Sequence, residues 1–278
     1  MSDSPEEVLA WHSNYVEAIS SIARVTPGGV VREAGGLTLA RSGLGIPAFN
    51  AVFALDPPSS LATAEDGVWK VFGDSATRWL LVTTPEISKG LGPLIRAFDL
   101  RHEETIPGMA WAPLPERVPP GPAGFEVRRV RVPEEARLLA QTMMEGFEAR
   151  PALMDPWVDG VRTQHLTSSE LPGWYLGFLS GRPVGTAVRI ATGDVAGIYG
   201  VSTLPGFRRR GFGEAITRHA AIEGYQEGCR TSYLQSSKAG RSVYERIGFR
   251  WVEDYQLWSP ARGEGPSVES EQQAGRKG

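Results

Sequence analysis

The chain has 278 residues and a formal net charge of -3, a size at which about 150 residues per domain predicts two domains. An apolar fraction of 41% supplies a sizeable core, while the mild acidity excludes a general nucleic-acid surface. The single cysteine, Cys229, excludes an intrachain disulfide, and no apolar run approaches the roughly 20 residues needed to span a bilayer.

Ser4-Pro5-Glu6-Glu7 reads as a capping box with proline at the first helical position. Val8, Trp11, Tyr15, Ile19 and Ile22 then recur at steps of three and four, which predicts an amphipathic helix ending near Pro27-Gly28-Gly29. These early residues are acidic where a signal peptide is basic, so a cytoplasmic protein without a membrane partner is expected. Strand-like runs follow at Gly29–Glu33, Leu37–Arg41, Ala51–Leu55 and Trp79–Thr84, then a helix over Lys89–Leu100 and a strand at Met109–Trp111. Residues 113–124 hold five prolines and two glycines, a density that disfavours helix and central strand alike and predicts a linker.

The second half opens with a strand over Phe125–Val132 and a helix starting at Pro133, with Leu139, Met143 and Phe147 at steps of four. A further helical stretch covers Pro151–Ser169. Runs at Trp174–Leu179 and Val184–Ala191 flank the turn Ser180-Gly181-Arg182-Pro183. After them come a strand over Val195–Thr203, a basic glycine-bearing turn, a helix over Glu214–Gln226, a strand over Thr231–Ser237, a short helix and a strand over Arg250–Trp258. The tail 261–278 is polar, lacks periodicity and is expected to be disordered.

The turn Arg208-Arg209-Arg210-Gly211-Phe212-Gly213 carries the most chemistry. Glycines let backbone N–H groups converge and a following helix start adds positive potential, which together suit a diphosphate. A nucleotide P-loop needs Lys-Ser/Thr where Phe212-Gly213 stands, and a dinucleotide fingerprint needs a third glycine where Ile216 stands.

What remains, Arg208-x-x-Gly211-x-Gly213 after a strand ending at Thr203, resembles the acyl-CoA-binding motif of the GNAT (GCN5-related) N-acetyltransferases. Tyr244-Glu245-Arg246-Ile247-Gly248-Phe249, about thirty residues on, is similar to the Y-x-x-x-G-F signature of that family. The resemblance implies an α/β (α+β) fold with a central, mixed but mostly antiparallel sheet flanked by helices. The upstream run Trp79–Thr84, Pro85, Gly90-Leu91-Gly92 echoes Gly197–Thr203, Pro205, Gly211-Phe212-Gly213. That echo makes two GNAT-like halves the expectation: a degenerate or cap domain at 1–112, a linker at 113–124 and a catalytic domain at 125–260. A monomer is then expected if the halves mimic a dimer.

The function implied is acetyl transfer from acetyl-CoA to a primary amine by direct attack. The alternative is a catalytically degenerate acyl-CoA sensor or interaction module. By the family's pattern, the backbone of Arg209, Arg210, Gly211, Phe212, Gly213 and Glu214 would cradle the diphosphate, with Arg208, Arg209 and Arg210 adding charge. The strand edge at Val201, Ser202 and Thr203 would bond the pantetheine arm, and the Val201 N–H would hold the oxyanion. Tyr244 would be the general acid to the leaving thiolate, and Ser237 stands where many members have an asparagine on the CoA arm. No metal site is expected.

Many members also use a glutamate on the strand before the loop. Ala196 to Leu204 contains none, and Tyr199 is its only titratable side chain. A base could come from Glu145, Glu148, Asp155, Asp159 or His165 on the preceding helical region, or from a water chain to a backbone carbonyl. His219 is read as a packed helix-face residue, and Trp157 and Trp174 as candidate walls of the acceptor pocket.

Overall fold

In a computed structural model, which describes residues 3–73, 76–163 and 172–261, the chain begins with helix α1 (Pro5–Val25). Ser4 Oγ accepts from the Glu7 N–H and the Glu7 carboxylate accepts from the Ser4 N–H, closing the capping box. The buried stripe carries Trp11, Asn14, Ile19 and Ala23. Strands β1 (Val30–Ala34), β2 (Leu37–Arg41) and β3 (Asn50–Ala54) follow. Next come helix α2 (Leu61–Val68), β4 (Leu80–Thr83), the short helices α3 (Pro85–Ser88) and α4 (Gly92–Ala97), and β5 (Leu100–Trp111).

Two readings of the first half need correction. Helix α2 is absent from the elements expected above, although Ser60 caps it by accepting from the Thr63 N–H and Ala64 and Val68 bury one face. The predicted helix over Lys89–Leu100 stops at Ala97. The charged run Arg101–Glu104 instead lies in β5, where its backbone pairs with β11 (Arg250–Pro260) and its side chains stay exposed. Backbone pairing decides there, and no side-chain periodicity reports it.

The second half runs β6 (Phe125–Arg129), α5 (Ala136–Gly146), α6 (Asp155–Thr163), β7 (Gly173–Leu179), β8 (Arg182–Thr192) and β9 (Val195–Thr203). It continues with α7 (Phe212–Gln226), β10 (Thr231–Gln235), α8 (Arg241–Ile247) and β11. The end of the expected helical stretch to Ser169, His165, and the tail from Arg262 lie outside the described residues.

All eleven strands form one mixed sheet in the order β1-β2-β3-β4-β11-β5-β10-β9-β8-β7-β6. The last strand of each half crosses to the other: β5 lies between β11 and β10, and β11 between β4 and β5. Exchanging β4 with β10 and β5 with β11 maps the centre of the sheet onto itself. The two parallel pairs among the described strands, β3–β4 and β9–β10, are related by the same exchange.

This topology corrects the internal echo. The strand equivalent to β9 is β3, not β4, so the counterpart of the glycine turn is Leu55–Ser60 rather than Gly90–Gly92. That segment carries Pro57 and Pro58, which have no N–H to offer an anion, and β3 stays paired with β4 from Ala51 through Ala54.

Candidate functional site

The site begins where β9 and β10 part. They pair in parallel at Thr231–Val195, Ser232–Ala196 and Tyr233–Gly197, and no further. Strand β9 continues to Thr203 against β8 alone, so its other edge opens into a wedge. A bulge sits within this stretch: Thr186 faces Ser202 and Val188 faces Tyr199, leaving Gly200 and Val201 opposite the single residue Ala187. Gly200 has φ +56°, which favours glycine, and a Cβ placed there would lie 2.8 Å from Met143 Sδ, so that methionine would have to shift.

Ser202 is buried. Its hydroxyl meets the Thr186 hydroxyl at 2.8 Å and packs against Gly146, where a Cβ would approach to 2.4 Å. Its side chain therefore holds α5 to the strand. Val201 packs towards the core beneath α7 and α8, and the Thr203 hydroxyl stands against Gly213.

Beyond Thr203 a one-turn 3-10 segment, Pro205–Phe207, leads into the arginine-glycine turn. Arg209 adopts φ +61° and Gly211 φ +82°. Gly211 is the N-cap of α7 and has no side chain to satisfy the first-turn N–H groups, so those of Phe212, Gly213 and Glu214 form an anion-directed helix start. Phe212 itself is buried, stacked on Phe125 at 4.6 Å, and it anchors the turn.

The three arginines differ. Arg208 turns back: Nε donates to the Thr203 carbonyl at 3.2 Å, and Nη2 donates to the Gly146 carbonyl at 2.8 Å and pairs with Glu148 at 2.9 Å. Arg210 lies over the Phe212 and Phe207 rings. All three are exposed, and Arg208 alone of them is bonded to backbone carbonyls. The sequence does not distinguish the three arginines; in the structure Arg208 holds the turn to α5. The proline-rich segment 113–124 is also no free spacer. Leu114 is buried, Gln226 Nε2 donates to the Glu116 carbonyl, and Pro122 Cγ would lie 3.3 Å from any Cβ placed at Gly211 on the turn.

Tyr244 lies on α8 with its ring against Phe249 at 5.9 Å, and burial pushes its phenol up to about 12. Ser237 is exposed, and its hydroxyl accepts from the Gly240 N–H at 3.1 Å, capping the turn into α8. His219 on α7 is half-buried beside Glu223 and Tyr175, and burial lowers its pKa.

On the α1 side of the sheet the wedge opens into a cavity of about 990 Å³. Tyr199, Gly200 and Gln235 line it where the strands part, and Tyr15 joins them from α1. The expected bases do not line it among the described residues. Glu148 is held by Arg208, Asp155 and Asp159 face Arg137, and Glu145 accepts from Gln141 on an exposed surface. Trp157 and Trp174 do line it, with ring centroids 5.2 Å apart.

Sequence reasoning missed a buried polar string beside the wedge. His12 Nε2 meets Glu253 at 2.9 Å, Tyr255 donates to Glu253 at 2.6 Å, and the Tyr233 and Tyr255 hydroxyls are 2.5 Å apart. Because Tyr255 donates to the carboxylate, Tyr233 donates to Tyr255. A Cβ at Gly108 would lie 2.6 Å from the Tyr233 hydroxyl, so that glycine makes the string possible. Residues from α1, β10 and β11 meet here across more than 200 positions, which no local pattern reports.

Residues 139–249 match the acetyltransferase (GNAT) family. No curated protein matches the chain. Among solved structures, the chain is similar to a GCN5-related N-acetyltransferase from Kribbella flavida, with TM-score 0.67 and 19% identity over 91% of this chain and 96% of that one. It is also similar to a GCN5-related N-acetyltransferase from Sphaerobacter thermophilus, with TM-score 0.53 and 20% identity over 71% and 64%. A functionally unknown conserved protein from Staphylococcus epidermidis matches with TM-score 0.53 and 16% identity over 84% and 95%. At these identities the likenesses establish the fold.

Proposed function

With residues 139–249 matching the acetyltransferase (GNAT) family, we propose that the protein transfers an acetyl group from acetyl-CoA to a primary amine by direct attack. One observation carries this reading. No described strand pairs with the β9 edge from Ile198 to Thr203, where the Thr203 carbonyl is taken by Arg208 Nε, and an uncapped helix start lies at one end and a cavity at the other. A CoA ester has the matching sequence of parts: a diphosphate, two amides and a thioester.

In this reading the N–H groups from Arg209 to Glu214 bind the diphosphate, with Arg209 and Arg210 adding charge-assisted bonds. Arg208 positions the turn. The backbone of Val201, Ser202 and Thr203 bonds the pantetheine amides as a neighbouring strand would. Val201, set in the bulge, offers its N–H to the thioester oxygen as negative charge develops. The neutral amine attacks the carbonyl carbon, the tetrahedral intermediate collapses as the C–S bond breaks, and the proton lost from nitrogen passes through water to the CoA sulfur, giving the amide and free CoA thiol. Tyr244 donates to the departing sulfur. A phenol near 12 keeps its proton beside a thiol of ordinary pKa about 8.5, so it stabilises the thiolate by hydrogen bonding more than by complete transfer. Ser237 keeps a hydroxyl hydrogen for the CoA arm while its oxygen caps the turn.

We assign the chemistry to 125–260. The unit 1–112 is a GNAT-like partner without a donor site, joined through 113–124. Among the described residues no helix is long and apolar enough to cross a membrane. Titration calorimetry with acetyl-CoA, together with thiol release over an amine panel, tests the proposal. Binding and release support it, and binding without release for any amine turns the site into an acyl-CoA sensor.

A further inference from the structure

The cavity at the wedge is made by both halves. The second half supplies Met143, Met144 and Phe147 from α5 and the turn after it, with Trp157 from α6 and Trp174 from β7. The first half supplies Ile22 and Val25 from α1, and Ile46 and Phe49 from the loop before β3. At about 990 Å³ it stands at the top of the range of roughly 300–1,000 Å³ usual for small-molecule pockets.

Most of its charges are already paired, although the buried Arg189 Nε and Nη1 have no hydrogen-bond partner among the described residues. Arg24 forks onto Glu17, with contacts at 2.7 and 3.0 Å. Arg129 pairs with Glu223 at 3.0 Å and with Glu227, and Glu227 also holds Arg189. The Arg189 guanidinium packs at Gly224 of α7, on the sheet face opposite α1. Polarity gathers where the strands part: the buried Gln235 Nε2 lies near the Tyr199 and Tyr233 phenols without a close hydrogen bond, and the Tyr199 and Tyr15 rings stack beside it. On the α1 face a ligand with a second cation, or with a phosphate or carboxylate, would have to bury that charge against an apolar wall without a free counter-charge beside it, which is strongly unfavourable.

Resting on the acyl-transfer reading, we infer that the acceptor is a primary amine carried on a bulky, uncharged apolar body. The amine sits beside Tyr199 and Gln235 at the strand divergence, and the body lies among Trp157, Trp174, Phe49 and the α5 methionines. The first half is then the specificity wall, which gives it a role although its own β3–β4 pair stays closed.

Three amines test this on the full chain: 4-phenylbutylamine, spermidine and glucosamine. Each is titrated by tryptophan fluorescence, because Trp157 and Trp174 form the wall, and each is assayed for thiol release from acetyl-CoA. The expected result is a saturable fluorescence change with 4-phenylbutylamine and a kcat/KM at least about tenfold above the other two. Trp157→Ala should raise KM for 4-phenylbutylamine about tenfold while the acetyl-CoA Kd stays unchanged, and Trp157→Phe should recover most of that loss. A higher kcat/KM for spermidine or glucosamine overturns the inference and leaves acyl transfer standing, as does an unchanged KM in Trp157→Ala. Absence of thiol release with every amine overturns acyl transfer. The fluorescence arm still decides the cavity in that case: a saturable response to 4-phenylbutylamine alone supports an apolar-amine site, and its absence rejects one.

Discussion

The Tyr199 hydroxyl donates to Asn14 Oδ1 at 2.6 Å, joining the strand that would carry the acyl donor to the first helix of the chain. Asn14 is fully buried, and its Nδ2 donates to the Ile190 carbonyl at 3.0 Å and to Thr192 Oγ1 at 2.7 Å. One amide thus ties α1 to the β8–β9 turn. A Cβ at Gly197 would fall 1.7 Å from Asn14 Oδ1, so the strand is glycine where the amide enters. Asn14→Ala strands several buried polar groups at about 1–3 kcal/mol each. A loss of about 2–5 kcal/mol in urea unfolding is expected, and a loss below about 1 kcal/mol would show that the amide is not the fastening.

Gly211→Glu should abolish acetyl-CoA binding. The position has φ +82°, Pro122 Cγ stands 3.3 Å from any Cβ there, and the carboxylate would face the first-turn N–H groups. Calorimetry gives the answer directly, and retained affinity would remove the diphosphate from this turn.

The arginines should separate by role. Arg210→Ala removes an exposed charge, so it should weaken acetyl-CoA binding several-fold and flatten its salt dependence. Arg208→Ala removes the bonds to the Gly146 and Thr203 carbonyls. It should lower the thermal midpoint as well as affinity and leave the salt dependence nearly unchanged. Identical salt profiles for the two variants would contradict the division.

Tyr244→Phe should lower thiol release at least tenfold while acetyl-CoA affinity changes little. Equal turnover would reduce Tyr244 to its packing on Phe249.

Alkaline stability follows from the buried phenols. Burial raises the pKa of Tyr15, Tyr175, Tyr199, Tyr233, Tyr244 and Tyr255. The folded chain therefore holds these protons to higher pH than the unfolded chain, whose phenols titrate near 10. Their contribution is complete below about pH 10 and is lost as pH rises towards and past 12. Tyrosinate absorbance from these residues should appear together with loss of circular dichroism. Their ionisation in a chain that stays folded would contradict the burial.

Much of the candidate site was legible in one dimension because its local geometry depends on backbone chemistry. The capping box at Ser4 and Glu7, the turn Arg208–Gly213 and the run Tyr244–Phe249 each lie within a few residues, and glycine and proline impose their dihedral limits wherever they stand. That information led to the anion turn, the element order and the GNAT likeness. The β5–β11 exchange, the pairing of Asn14 with Tyr199, the bonding of Arg208 to Gly146 and Glu148 and the polar string from His12 to Tyr233 all required the tertiary structure. Each joins residues from different elements, and pairing across a sheet is set by packing and hydrogen-bond registry between distant segments, which a run of neighbouring side chains does not encode. The same physics explains the misplaced echo. Trp79–Gly92 resembles the glycine turn in local composition, but only the parallel β3–β4 pair shows that its true counterpart is the proline-bearing segment Leu55–Ser60.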